Sequence, residues 1–144
     1  RKNIIAPVAG SEALGTALWY RDALALAAID YLHYDLGWIG GISEAIKISG
    51  IAHANNRMMC PHDCTGPIVW IANLHISLAF SSSMILESVR SYYNGFYKNL
   101  VNNLPRIDKG LAFPMDGVGL GTDLQDSLLK SPNTIIRKTT KNDL

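Results

Sequence analysis

The chain has 144 residues, of which 48% are apolar and 17% charged, with a formal net charge of +1. That length suits one compact domain, and the composition describes a core-rich chain rather than a disordered one. The small net charge gives no electrostatic case for nucleic acid or an anionic membrane, and no apolar run approaches the roughly 20 residues that cross a bilayer.

Arg1-Lys2-Asn3 leads straight into Ile4-Ile5 and Pro7, with no long apolar stretch of the kind a signal peptide carries. The two cysteines, Cys60 and Cys64, flank His62. So few cysteines in so apolar a chain argue against a disulfide scaffold, and the expected location is cytoplasmic with reduced thiols. A zinc site made of Cys60, His62 and Cys64 lacks a second ligand pair at the usual spacing.

The first apolar run, Ile4 to Ala9, predicts a buried strand that ends at Gly10-Ser11-Glu12 and suggests a chain beginning mid-fold. Alanine, leucine and their spacing predict a helix from Thr16 to Ala27. Ile29 to Asp35 is the second strand, with a turn through Gly40-Gly41. Ser43 and Glu44 open a helix whose apolar face is Ile42, Ala45, Ile46, Ser49, Gly50 and Ala52, ending near Asn55-Asn56. Met58 to Cys60 is the third strand. Thr65-Gly66-Pro67 starts a third helix, Ile68 to Phe80, which is apolar nearly all round and therefore buried. Met84 to Leu86 is a fourth strand ending at Glu87, and Arg90 to Val101 a fourth helix. Beyond Val101 the pattern becomes turn-rich. A short strand is expected at Leu111 to Phe113, a helical turn between Asp123 and Lys130, and a frayed polar tail from Arg137 to Leu144.

Strands and helices thus alternate four times, which calls for parallel strands with crossover helices. The fold class is α/β, either an open doubly wound sheet or part of a (β/α)8 barrel. A full barrel takes roughly 200 residues or more, so this length holds only half of one.

Four polar residues fall at the four strand ends, about 25 residues apart: Glu12, Asp35, His62 and Glu87. In a parallel α/β fold those ends share one face, where sites are built. Solvent exposure of strand ends is the plainer account of such a series. Asp35 and His62 suit an orienting carboxylate and a general base. Glu12 is a hard-oxygen donor suited to Mg²⁺, although one carboxylate alone holds that ion poorly. Glu87 is a hydrogen-bonding or electrostatic group opposite the base. His33 lies two residues before Asp35, so it faces the interior. His75 reads as a hydrogen-bonded core or interface residue and His53 as surface. Trp38 is placed to wall a pocket or to pack, and Trp19 and Trp70 read as core or interface. The run GVGLG (117–121) has no strand-then-helix context and is no phosphate loop.

The segments PVAGSE (7–12), YDLGWIGGISEA (34–45), CPHDCTGP (60–67), ILE (85–87) and DGVGLGTDL (116–124) together resemble the mandelate racemase/muconate lactonizing enzyme family of the enolase superfamily, nearest its sugar-acid dehydratases. The resemblance runs from Ile4 to Leu124. It implies a (β/α)8 barrel beside an α+β capping domain, with residues 1–101 carrying barrel strands five to eight and 102–144 a C-terminal segment beside the capping domain. It implies Glu12 as the third Mg²⁺ ligand, Asp35 and His62 as a dyad with His62 the base, and Glu87 as the eighth-strand acid that helps bind substrate. The chemistry implied is removal of the proton α to a carboxylate of an acid sugar, with Mg²⁺ stabilising the enediolate, followed in the dehydratases by loss of a β-hydroxyl to give a 2-keto-3-deoxy acid. A racemase or epimerase of the same family, and an inactive fragment, are the other readings.

The first four strands of that pattern, with two metal carboxylates, a lysine base and the capping domain, have no counterpart here. His33 stands where Gln or Asn is more usual. The expectation is that this chain alone neither holds Mg²⁺ tightly nor turns over. It also predicts self-association, or association with the other half of a barrel, to cover open sheet edges.

Overall fold

The computed structural model describes residues 1 and 3–141. Its centre is a parallel sheet of three very short strands, β1 (Ala9–Gly10), β2 (Tyr31–Leu32) and β3 (Met58–Met59), in the order β1-β2-β3. Ala9 pairs with Tyr31, and Tyr31 with Met58. A parallel bridge from Met59 to Ser83 adds a fourth chain segment on the far side of β3.

The crossovers are helical, as a parallel sheet requires. Helix α1 (Ala17–Ala25) joins β1 to β2. A single turn, α2 (Leu36–Ile39), and then α3 (Ile42–Ala54) join β2 to β3, and α4 (Pro67–Ala79) leads to the bridge at Ser83. Helix α1 lacks a capping side chain of its own. Its first N–H, at Ala17, donates instead to Oε2 of Glu44 at 3.1 Å, so α3 caps α1. Helix α4 begins as its sequence demands, with Gly66 at the cap and Pro67 in the first turn, where no N–H is missed. The main core lies between sheet and helices and includes Tyr20, Leu32, Tyr34, Ile39, Ile48 and Met59. A second cluster centres on Trp70, Ile71 and Tyr97.

Several expected boundaries move. The first strand is not Ile4 to Ala9: Ile4 and Ile5 are exposed, and the ladder begins at Val8, whose carbonyl accepts from Asp30 and Tyr31. Asp30 fixes that register, because its Oδ2 accepts from the Val8 N–H at 2.8 Å. The buried face of α3 is Ala45, Ile48, Ser49 and Ala52, rotated from the expected one, and Ile42 and Ile46 face outward. The fourth strand is reduced to its bridge, with Met84 donating to the Met59 carbonyl and Glu87 to that of Pro61. The fourth helix is broken into α5 (Arg90–Asn94) and a 3-10 turn (Phe96–Asn99). Gly95 makes the break: a Cβ there would lie 2.5 Å from the Ser91 carbonyl oxygen.

After Val101 the chain forms a hairpin of β4 (Ile107–Asp108) and β5 (Leu111–Ala112). Lys109 and Gly110 both take positive φ, as the tightest hairpin turn requires. Helix α6 (Asp126–Leu129) follows. An antiparallel bridge from Val101 to Leu124 ties this segment back to the preceding turn. Residues 137–141 are exposed, and the end of the expected tail, 142–144, lies outside the described residues.

Candidate active site at the strand ends

Asp35 is fully buried one residue past the end of the Leu32–Tyr34 stretch, where it caps α2. Its Oδ1 accepts from the Gly37 N–H at 2.8 Å and from the Thr65 hydroxyl at 2.9 Å. Its Oδ2 lies 2.9 Å from Nδ1 of His62. A carboxylate offers only lone pairs, so Nδ1 of His62 donates to Asp35 and Nε2 is the ring nitrogen turned toward Glu87. The main chain holds His62 as well. Its N–H donates to the Tyr34 carbonyl at 2.8 Å, and its carbonyl accepts from Nδ2 of Asn73 at 3.1 Å.

Nε2 of His62 faces Oε2 of Glu87 at 3.7 Å. The same oxygen accepts from the Asp63 N–H at 2.9 Å and lies 3.2 Å from Nε2 of His33. The rings of His33 and His62 meet edge to face, their centroids 5.0 Å apart. Trp38 is 46% exposed and lies against His62 with centroids 5.6 Å apart, so it walls the site rather than filling the core.

Asp35, His62, Glu87 and His33 therefore form one connected group. Glu12 stands apart. It is half-buried beyond β1, just after Ser11, which takes a φ of 84°. Its charge is felt by the Tyr20 hydroxyl and the Cys64 thiol, whose pKa values it helps to raise. Among the described residues, two groups of possible ligands have atoms within 4.8 Å of one another: His33, His62 and Glu87, and Asp35, His62 and Cys64. Glu12 belongs to neither.

Magnesium takes hard oxygen donors in near-octahedral array. Both convergent groups are rich in nitrogen or sulfur, and the Asp35 carboxylate is spent on Gly37, Thr65 and His62. By donor chemistry neither convergent group fits Mg²⁺, and Glu12 is an oxygen donor that lies outside both. The set of Cys60, His62 and Cys64 does not assemble. Cys60 is buried in the core, where desolvation pushes its thiol up to about 11. Cys64 is exposed, and its thiol is raised by desolvation and by the charges of Asp35, Asp63, Glu87 and Glu12.

Asp63 is a residue the sequence reading passed over. It is almost fully buried; Oδ2 accepts from the Val89 N–H at 2.7 Å and Oδ1 from the Tyr97 hydroxyl at 2.7 Å. Burial holds its pKa above the ordinary carboxylate value, against those hydrogen bonds. Thr65, expected only at the start of the third helix, also donates to Asp35. Among the other aromatic and histidine expectations, Trp70 is core and its indole N–H donates to the Glu87 carbonyl at 3.0 Å. Trp19 is 60% exposed, not core, and His53 is on the surface. His75 departs from its expected role: its Nε2 is buried without a hydrogen-bond partner among the described residues.

The enolase C-terminal domain-like family model matches residues 1–128. The chain belongs to this family. Among enolase-family relatives, it is 31% identical over 124 residues to an arabinonate dehydratase of Saccharolobus solfataricus, covering 86% of this chain and 33% of that protein. It is 30% identical over 128 residues to a D-galactonate dehydratase of Verminephrobacter eiseniae, covering 85% of this chain and 34% of that protein. A solved enolase from environmental sequencing of the Sargasso Sea superposes with a TM-score of 0.87 at 35% identity, covering 98% of this chain and 37% of that one. An enolase of the mandelate racemase subgroup from Agrobacterium tumefaciens gives 0.79 at 38% identity, covering 87% and 33%. The chain therefore spans about a third of the length of the curated relatives it matches. Among the described residues, no helix is long and apolar enough to cross a membrane.

Proposed function

We propose that this chain is the proton-abstracting part of a Mg²⁺-dependent acid-sugar dehydratase. In this reading residues 1–101 provide strands five to eight of a (β/α)8 barrel, and residues from 102 onward pack beside a capping domain. One observation carries the reading: His62 is held by Asp35 at 2.9 Å through Nδ1, which leaves Nε2 free beside Glu87 at 3.7 Å. An imidazole held through one ring nitrogen, with the other turned toward the facing side chains, is the arrangement a general base uses.

His62 takes the proton α to the substrate carboxylate on Nε2, and the imidazolium then lies between Asp35 and Glu87. Glu87 binds the substrate carboxylate side, and Trp38 limits access of water. Glu12 contributes one ligand to the metal, whose charge would stabilise the developing enediolate. The β-hydroxyl then departs as water, taking the proton that His62 holds, and the enol that remains ketonises to the 2-keto-3-deoxy acid. The names of the arabinonate and galactonate dehydratases favour this over other outcomes of the same first step. Two free thiols, Cys60 and Cys64, suit a cytoplasmic setting.

Support for the half-barrel comes from the all-parallel order of the sheet and from apolar residues left open, including Ile5, Met84 and Ile85. In this reading the other strands, from the same polypeptide or another copy, cover them.

The test uses the full-length protein that contains this chain, screened against aldonic acids for a 2-keto-3-deoxy product. His62→Asn should lower turnover on the order of 10³-fold, and full activity in that variant would overturn the assignment. The likeness to a mandelate racemase subgroup enolase supports a second reading, racemisation. Solvent deuterium appearing in recovered substrate, with no keto acid formed, would select it.

A further inference from the structure

Nε2 of His33, Nε2 of His62 and Oε2 of Glu87 are more than a proton-transfer group. The carboxylate oxygen lies 3.2 Å from one imidazole nitrogen and 3.7 Å from the other. A tetrahedral zinc ion with ligand bonds near 2.1 Å separates its donors by about 3.4 Å. Two of the three donor separations straddle that edge and all three atoms lie within 4.8 Å of one another, so they converge on one ion once Nε2 of His33, which faces the Glu87 carboxylate, passes its proton to Nδ1 or solvent. Two imidazoles and one carboxylate, with an open fourth position, are a donor set that zinc takes and magnesium does not.

The surrounding contacts reinforce this. Nδ1 of His62 is tied to the Asp35 carboxylate, the carboxylate–histidine arrangement that orients a metal-bound imidazole and increases its donor strength. Asp35 is itself anchored by Gly37 and Thr65. Oε2 of Glu87 is held by the Asp63 N–H at 2.9 Å. Two of the three donors thus have fixed aim before any ion arrives.

We propose that His33, His62 and Glu87 form a zinc site, distinct from the Glu12 position, and that zinc bound there silences the enzyme by occupying the lone pair of His62. Binding follows from these three side chains alone. The silencing rests on the reading of His62 as the base, so the two are measured separately.

The full-length protein, stripped of metal, is titrated with Zn²⁺ against a chromophoric chelator, and the zinc-loaded form is examined by X-ray absorption. One equivalent with two imidazole nitrogens in its shell is expected. His33→Gln should weaken that equivalent by at least about tenfold, and Glu12→Gln should leave it unchanged. Zinc binding unaffected by His33→Gln, or lost with Glu12→Gln, would overturn the site. In turnover assays, zinc inhibition that Mg²⁺ does not relieve is expected in the wild type and should shift to at least tenfold higher zinc in His33→Gln. Inhibition relieved competitively by Mg²⁺ would overturn the silencing. Neither binding outcome depends on which acid sugar is turned over.

Discussion

The ends of β1 and β2 teach different things about how this fold makes a site. Beyond β2, Asp35 is buried and committed through hydrogen bonds to Gly37, Thr65 and His62, so its position is set by the fold. Beyond β1, Glu12 is half-buried and outside both converging side-chain groups. The contrast separates a group fixed by the chain's own hydrogen bonds from one that, among the described residues, joins neither converging group.

Substitutions can break that contrast in order of effect. Asp35→Ala should cost the most, about 2–5 kcal/mol in denaturant unfolding of the full-length protein, because three donors lose the one buried carboxylate they share. A loss under about 0.5 kcal/mol would mean that Asp35 is not an anchor. Tyr97→Phe should cost about 1.5–3 kcal/mol, the worth of a hydrogen bond to a charged group. That deficit depends on pH. Burial raises the pKa of Asp63 in the folded state, so its favourable contribution is complete below the unfolded value near pH 4 and is lost as pH rises through the folded value. The Tyr97 hydroxyl restrains that rise, so unfolding curves should show the Tyr97→Phe deficit smaller in acid and wider toward neutrality. Glu12→Gln should shift stability within about 0.5 kcal/mol while weakening Mg²⁺ binding in calorimetry. A large unfolding effect from this change would erase the contrast.

What could be seen in the sequence follows the same division. Helices α3 and α4 were visible because periodicity and the Gly66-Pro67 start are local signals. The Asp35–His62 pairing was visible because both residues end apolar runs one βα unit apart. The first strand was misplaced because Ile4 and Ile5 look like strand residues, whereas the ladder is fixed by Asp30, a side chain 22 residues from its partner Val8. Helix α2 was read as a turn, although an aspartate cap followed by Gly40 was there to see. The broken fourth helix was foreshadowed only by Asn94-Gly95. Asp63 had no signal at all: Val89 and Tyr97, which give it meaning, lie 26 and 34 residues away. Contacts of that kind exist only once the chain has closed on itself.

The segment at Asp63 and the segment from Glu87 to Val89 are also linked in both directions. The main chain of Asp63 donates to the Glu87 side chain, and the main chain of Val89 donates to the Asp63 side chain. Two such links in opposite senses work like a buckle, because a shear that loosens one tightens the other. The segment after β3 and the segment at Glu87 therefore travel as one body, carrying His62 and its facing carboxylate together.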